Sequence, residues 1–124
     1  MTEKPRILIV DDSVSNVEVL NAFLEKDYEV VIAYNGHDAL RVFESNKNNL
    51  KLAIIDMIMP LVSGACAISE IKKQYPDLPI IAMTGWGKHQ SILATEVKAD
   101  IVLNKPFGLA ELKTAITELL CSKS

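Results

Sequence analysis

ILIVDDS, residues 7–13, decides how this chain folds. Four apolar residues, Ile7-Leu8-Ile9-Val10, run unbroken and stop at two adjacent carboxylates, Asp11 and Asp12. Such a run is too short for a buried helix and lacks the alternation of a strand with one wet face, so it reads as a strand buried on both sides. Three more runs follow the same rule. Leu52-Ala53-Ile54-Ile55 ends at Asp56, Pro79-Ile80-Ile81-Ala82-Met83 ends at Thr84-Gly85, and Ile101-Val102-Leu103 ends close to Lys105-Pro106. Parallel sheets carry their chemistry at the carboxyl ends of the strands. Three Asp, one Thr and one Lys are therefore expected on one edge, an acidic pocket suited to a hard cation.

The intervening segments have helical periodicity. Ser13 is a good N-cap, followed by Val14, Val17, Leu20 and Leu24 at helical spacing. The β-branched stretch 28–33 is the second strand, and Asn35-Gly36 after it is a turn signal. Helices are expected over 38–45, 64–75, 89–97 (the weakest) and 107–120, where Leu109, Leu112, Ile116 and Leu119 keep register. The polar stretch 46–49 reads as a loop, and Pro76 stops the third helix. Strand–helix repetition with short connections gives an α/β fold: a single doubly wound (βα)5 domain over 1–124, its parallel strands joined by right-handed crossovers. No linker or repeat interrupts it, and a stand-alone protein is the expectation.

Composition narrows the function. An apolar content of 49% supplies a core, and a net charge of -3 argues against a protein that binds nucleic acid by neutralising its backbone. Cys66 and Cys121 have no metal-type spacing and are expected as small buried or half-buried thiols in a reducing compartment. The N-terminal apolar run is too short for a signal peptide and nothing reaches membrane-spanning length, so a cytoplasmic protein with no membrane insertion is expected.

Adjacent carboxylates facing a third would repel one another unless a cation lies between them. Oxygen-only ligands suit Mg²⁺, which takes one or two carboxylates and keeps places for water and phosphate. Lys105 adds a positive charge for a carboxylate or phosphoryl oxygen, Thr84 a hydroxyl, and Gly85 leaves room. A carboxylate so held is a plausible nucleophile toward phosphorus.

The motifs ILIVDDS (7–13), YNGHDAL (34–40), IIDMIMP (54–60) with Gly64 beyond, IIAMTG (80–85) and LNKPF (103–107) resemble, in order and spacing, the receiver domain of two-component response regulators. The resemblance implies a flavodoxin-like sheet of order 2-1-3-4-5. It implies Asp56 as the acceptor of a phosphoryl group from a histidine of a sensor kinase or phosphotransfer protein. Asp11, Asp12, Asp56 and the backbone carbonyl of Ile58 would hold Mg²⁺, Thr84 and Lys105 would grip the phosphoryl oxygens, and Lys105-Pro106 would be cis. The face carrying 89–97, the fifth strand and 107–120 would then switch to bind an output partner the sequence does not name.

Some positions depart from that pattern. Val102 stands where the family commonly has Tyr or Phe, Lys98-Ala99 where Gly-Ala is usual, Ser63 where Asp or Asn is common, and Ala65-Cys66-Ala67 is small for the start of a third helix. Ile58 and Trp86 flank the expected path of attacking water and, being apolar, would lengthen the life of the phosphorylated state. His37 and His89 lack ligand-spaced neighbours and are expected at the surface; Met57, Met59 and Met83 read as core filler. Two other functions share parts of the pattern. An FMN-binding electron carrier wants a Ser/Thr/Gly-rich phosphate loop rather than Asp11-Asp12, and a phosphatase of dehalogenase type wants Asp-x-Asp after the first strand.

Overall fold

The computed structural model describes residues 4–57, 64–85 and 98–122. Five strands, β1 (Arg6–Val10), β2 (Glu29–Ala33), β3 (Leu50–Asp56), β4 (Ile80–Thr84) and β5 (Ile101–Asn104), form one parallel sheet in the order β2-β1-β3-β4-β5. Helices α1 (Val14–Leu24), α2 (Gly36–Asn46), α3 (Gly64–Gln74) and α4 (Leu109–Ser122) complete the described part. The helix expected over 89–97, with His89 and Trp86, lies outside the described residues.

Alternation along each buried strand divides the core in two, because successive side chains leave opposite faces. Leu8, Val10, Ala53, Ile55, Ile80 and Ala82 pack with Phe43 of α2 and Ile68 and Ile71 of α3. Ile7, Ile9, Leu52, Ile54, Ile81 and Met83 pack on the other side with Val17, Leu20 and Leu24 of α1 and Leu112 and Ile116 of α4. The ring of Tyr75 meets that of Phe43 edge-on, centroids 5.7 Å apart, and closes the α2–α3 seam. Burial on both faces explains why these strands are continuous apolar runs.

The boundaries differ from the sequence expectation in ways the local bonds explain. Asn35 is the N-cap of α2, not a free turn: its Oδ1 accepts the Asp38 backbone N–H at 2.8 Å, so the helix begins at Gly36. The last helix starts at Leu109 because the Gly108 carbonyl accepts the first helical bond, from the Leu112 N–H at 3.1 Å. Strand β3 opens at Leu50, which pairs with Arg6. Both cysteines are exposed, against expectation. Cys66 lies one position off the inward stripe Ala67-Ile68-Ile71, and Cys121 falls outside the stripe Leu112, Ala115, Ile116. Met57 and Met83 are buried and His37 is exposed, as expected, and Met59 lies outside the described residues.

Candidate functional site

The order of the sheet reverses between β1 and β3: β2 lies beyond β1 on one side, while β4 and β5 lie beyond β3 on the other. A crevice opens outside the strand ends at such a point. Asp11 and Asp12 follow β1, and Asp56 is the last residue of β3. Their carboxylates converge, offering one oxygen each, all within 4.8 Å of one another. Asp11 is 1% exposed and Asp56 5%, whereas Asp12 reaches solvent.

Backbone hydrogen bonds at and beside Asp11, Asp56 and Lys105 fix where their side chains start. The Asp11 N–H donates to the Ala33 carbonyl at 3.2 Å, which extends the β1–β2 pairing to the acid itself. Asp11 Oδ1 accepts the Ser13 N–H at 2.9 Å, turning the chain out of the sheet. Ser13 in turn caps α1, its Oγ accepting the Asn16 N–H at 3.3 Å. Beyond Asp56 the Met57 N–H donates to the Met83 carbonyl at 2.9 Å, and the Lys105 N–H donates to the Thr84 carbonyl at 2.7 Å. The Lys105-Pro106 peptide is cis.

Lys105 reaches across the crevice. Its Nζ lies 3.3 Å from Asp11 Oδ2 and 3.2 Å from Asp56 Oδ2. Burial draws the ammonium pKa down, but Asp56 and Asp11, by charge and by hydrogen bond, outweigh it and leave the pKa raised. The lysine therefore stays charged through the neutral range. One ammonium against three carboxylates leaves the site net negative, and an oxygen-only cluster of this charge fits a small divalent cation.

Thr84 is fully buried at the end of β4, and its hydroxyl donates to Oδ1 of Asn104 at 2.6 Å. The sequence reading singled out Thr84 but not Asn104, whose partner is set only once β4 and β5 are paired with Thr84 opposite Asn104. Val102 is half-buried and packs against the core cluster on the α2–α3 side. Ile58 and Trp86 lie outside the described residues. Beside the crevice, a cavity of about 440 Å³ runs between α1 and the start of α4, with Asp11 and Lys105 at its polar end and Val19, Leu20 and Phe107 along its walls.

The family described as the response regulator receiver domain matches residues 7–117. This chain belongs to that family. The receiver domain is 37% identical over 119 residues to a probable transcriptional regulator, ycf27, of Cyanophora paradoxa; the match takes in 94% of this chain and 48% of the relative. It spans about half the length of the curated relatives it matches. Among solved structures it is similar to a response regulator receiver domain protein from Clostridium thermocellum, with TM-score 0.89, 35% identity and 95% of each chain covered. It is also similar to the response regulator TrrA of Thermotoga maritima, solved with Mg²⁺ and beryllofluoride, with TM-score 0.84, 39% identity, and 95% of this chain and 100% of that one covered. The expected fold and sheet order are those observed. The fold is one that flavin carriers share, but neither the flavin-carrier nor the phosphatase reading finds support in the site or the relatives.

Proposed function

We propose that this receiver domain takes a phosphoryl group onto Asp56 from a phosphohistidine of a sensor kinase or phosphotransfer protein, as one step of a two-component phosphorelay. The observation that carries the reading is the position of Lys105 Nζ, 3.2 Å from Asp56 Oδ2 at the edge of the three-carboxylate cluster. Lys105 lies against both Asp11 and Asp56; of the two, Asp56 at the end of β3 stands where the receiver motif IIDMIMP has its acceptor. Its carboxylate attacks phosphorus, the P–N bond breaks, and the imidazole nitrogen leaves with the bonding pair. Asp11, Asp12 and Asp56, with the Ile58 carbonyl, would hold Mg²⁺, as the pairing of Mg²⁺ with beryllofluoride in the TrrA structure supports. When bound, the ion offsets charge on the transferring group. Lys105 trades part of its contact with Asp56 for a phosphoryl oxygen, and the Thr84 hydroxyl donates to another.

The product is a switch, not a catalyst with turnover on a separate substrate. Its output is a population shift on the face bearing 89–97, β5 and α4, carried with Val102 in place of an aromatic ring and read by a partner protein. We place the whole of 1–124 in this one domain. No helix among the described residues is long and apolar enough to cross a membrane. We infer a cytoplasmic regulator that enters no membrane, and the net charge of -3 favours a protein partner over nucleic acid for this domain. Ile58 and Trp86 act as apolar shields against hydrolysis.

Incubation with phosphoramidate and Mg²⁺ is expected to add one phosphoryl group by mass spectrometry, and to add none to Asp56→Asn or in EDTA. Equal labelling of that variant would remove Asp56 from the role. Decay of the labelled protein should quicken in Ile58→Asn and Trp86→Glu; unchanged lifetimes would show that neither side chain shields the bond.

A further inference from the structure

Thr84 and Asn104 face each other across β4 and β5, and register partners in a parallel sheet send their side chains to the same face. The separation of Thr84 Oγ1 from Asn104 Oδ1, 2.6 Å, belongs to O–H···O bonds and lies below the usual N–H···O range, so the amide oxygen accepts and the hydroxyl donates. A threonine hydroxyl has a single proton. While Asn104 holds it, Thr84 has none to offer a phosphoryl oxygen. Asn104 itself is exposed, so water can solvate its amide oxygen as soon as the hydroxyl turns away. It also directly precedes Lys105, so one short segment carries both the lysine that meets Asp11 and Asp56 and the amide that occupies Thr84.

We propose that Asn104 is a positioning residue, a latch that keeps the Thr84 hydroxyl proton turned from the acceptor crevice until a phosphoryl group outcompetes the amide for it. This rests on the reading of Thr84 as a phosphoryl ligand. The latch sets a threshold. The unphosphorylated domain pays one neutral hydrogen bond to enter the active arrangement, and removing the acceptor lowers that threshold without touching the carboxylates or Lys105.

The test is calorimetric titration of beryllofluoride into the full chain at saturating Mg²⁺, with wild type, Asn104→Ala, Thr84→Val and the double variant. Asn104→Ala is expected to bind about two- to tenfold more tightly, the range of one neutral hydrogen bond. Thr84→Val should bind more weakly, and adding Asn104→Ala to it should change nothing, since no hydroxyl remains to be released. Mg²⁺ affinity without beryllofluoride should be the same in Asn104→Ala as in wild type, which a general loosening of the site would not give. Asn104→Val, with a β-branched side chain suited to the strand end, replaces the alanine variant should that one melt early. Should Thr84→Val bind as wild type does, Thr84 is no phosphoryl ligand, and both readings fall together. If Thr84→Val weakens binding while Asn104→Ala leaves it unchanged or weaker, the latch alone is overturned.

Discussion

At Gly64 a methyl group has nowhere to go. A Cβ built there would lie 1.8 Å from the Asp56 carbonyl oxygen and 2.7 Å from the Met57 Cα, both backbone atoms that cannot swing aside. The start of α3 is therefore packed directly on the peptide that carries the proposed acceptor. Gly64→Ala is expected to destabilise the fold by about 1–3 kcal/mol, as overpacking does, and to slow labelling of Asp56. Urea unfolding and phosphoramidate labelling check the two effects, and wild-type values in both would mean that the helix moves away at no cost. Asp11, Asp12, Asp56 and Lys105 were legible in the sequence because a charge that ends an apolar run is conspicuous. Gly64 was visible only as part of a motif, and its contact with Asp56 was not. Asn104 was invisible, since nothing in LNKPF says which side chain on another strand its amide will meet.

Among the elements, the turn into β5 carries the clearest strain. Lys98 has φ 68°, the left-handed region that costs a residue with a Cβ about 1–2 kcal/mol. The family's glycine is missing where backbone geometry asks for one. The segment is nevertheless pinned on its far side. Asp100 Oδ2 accepts from Lys72 Nζ and from the Ile80 N–H, both at 2.8 Å, and Lys72 also donates to the Leu78 carbonyl at 2.8 Å. One buried-stem lysine thus joins the end of α3, the start of β4 and the start of β5. Lys98→Gly should raise stability by about 0.5–1 kcal/mol, the relief of φ less the greater freedom glycine gives the unfolded chain, seen as a higher urea midpoint. An unchanged or lower midpoint would show that the Lys98 side chain contributes more than its backbone costs. Strand and helix types were legible from periodicity because burial enforces it. The ends were less so: Asn35-Gly36 resembles a turn until Asp38 is placed over it, and Phe107 resembles a first helical residue until Gly108 supplies the first carbonyl.

For the molecule as a whole, the two half-cores and the sheet between them were expected, because a fold with helices on both faces leaves no other place for four continuous apolar runs. Which strand lies at an edge has a consequence for exchange with solvent deuterium. β1 and β3 are each paired on both sides, whereas β5 is paired with β4 and, among the described residues, with no other strand. Amides in doubly paired strands exchange only when the whole domain opens, and those in a singly paired strand through smaller openings. Protection factors should therefore be highest at Leu8, Ile9, Ile54 and Ile55 and lower at Val102 and Leu103; equal protection throughout would describe a domain that opens only as one unit. On that expectation the carboxylates stand at the ends of the two well-protected strands, whereas Asn104 ends an edge strand and Lys105 follows it. Read as a deuterium clock, the sheet would keep slow time at its acidic strands and faster time at its reporting edge, which would rearrange many times between the global unfoldings that open the acidic end.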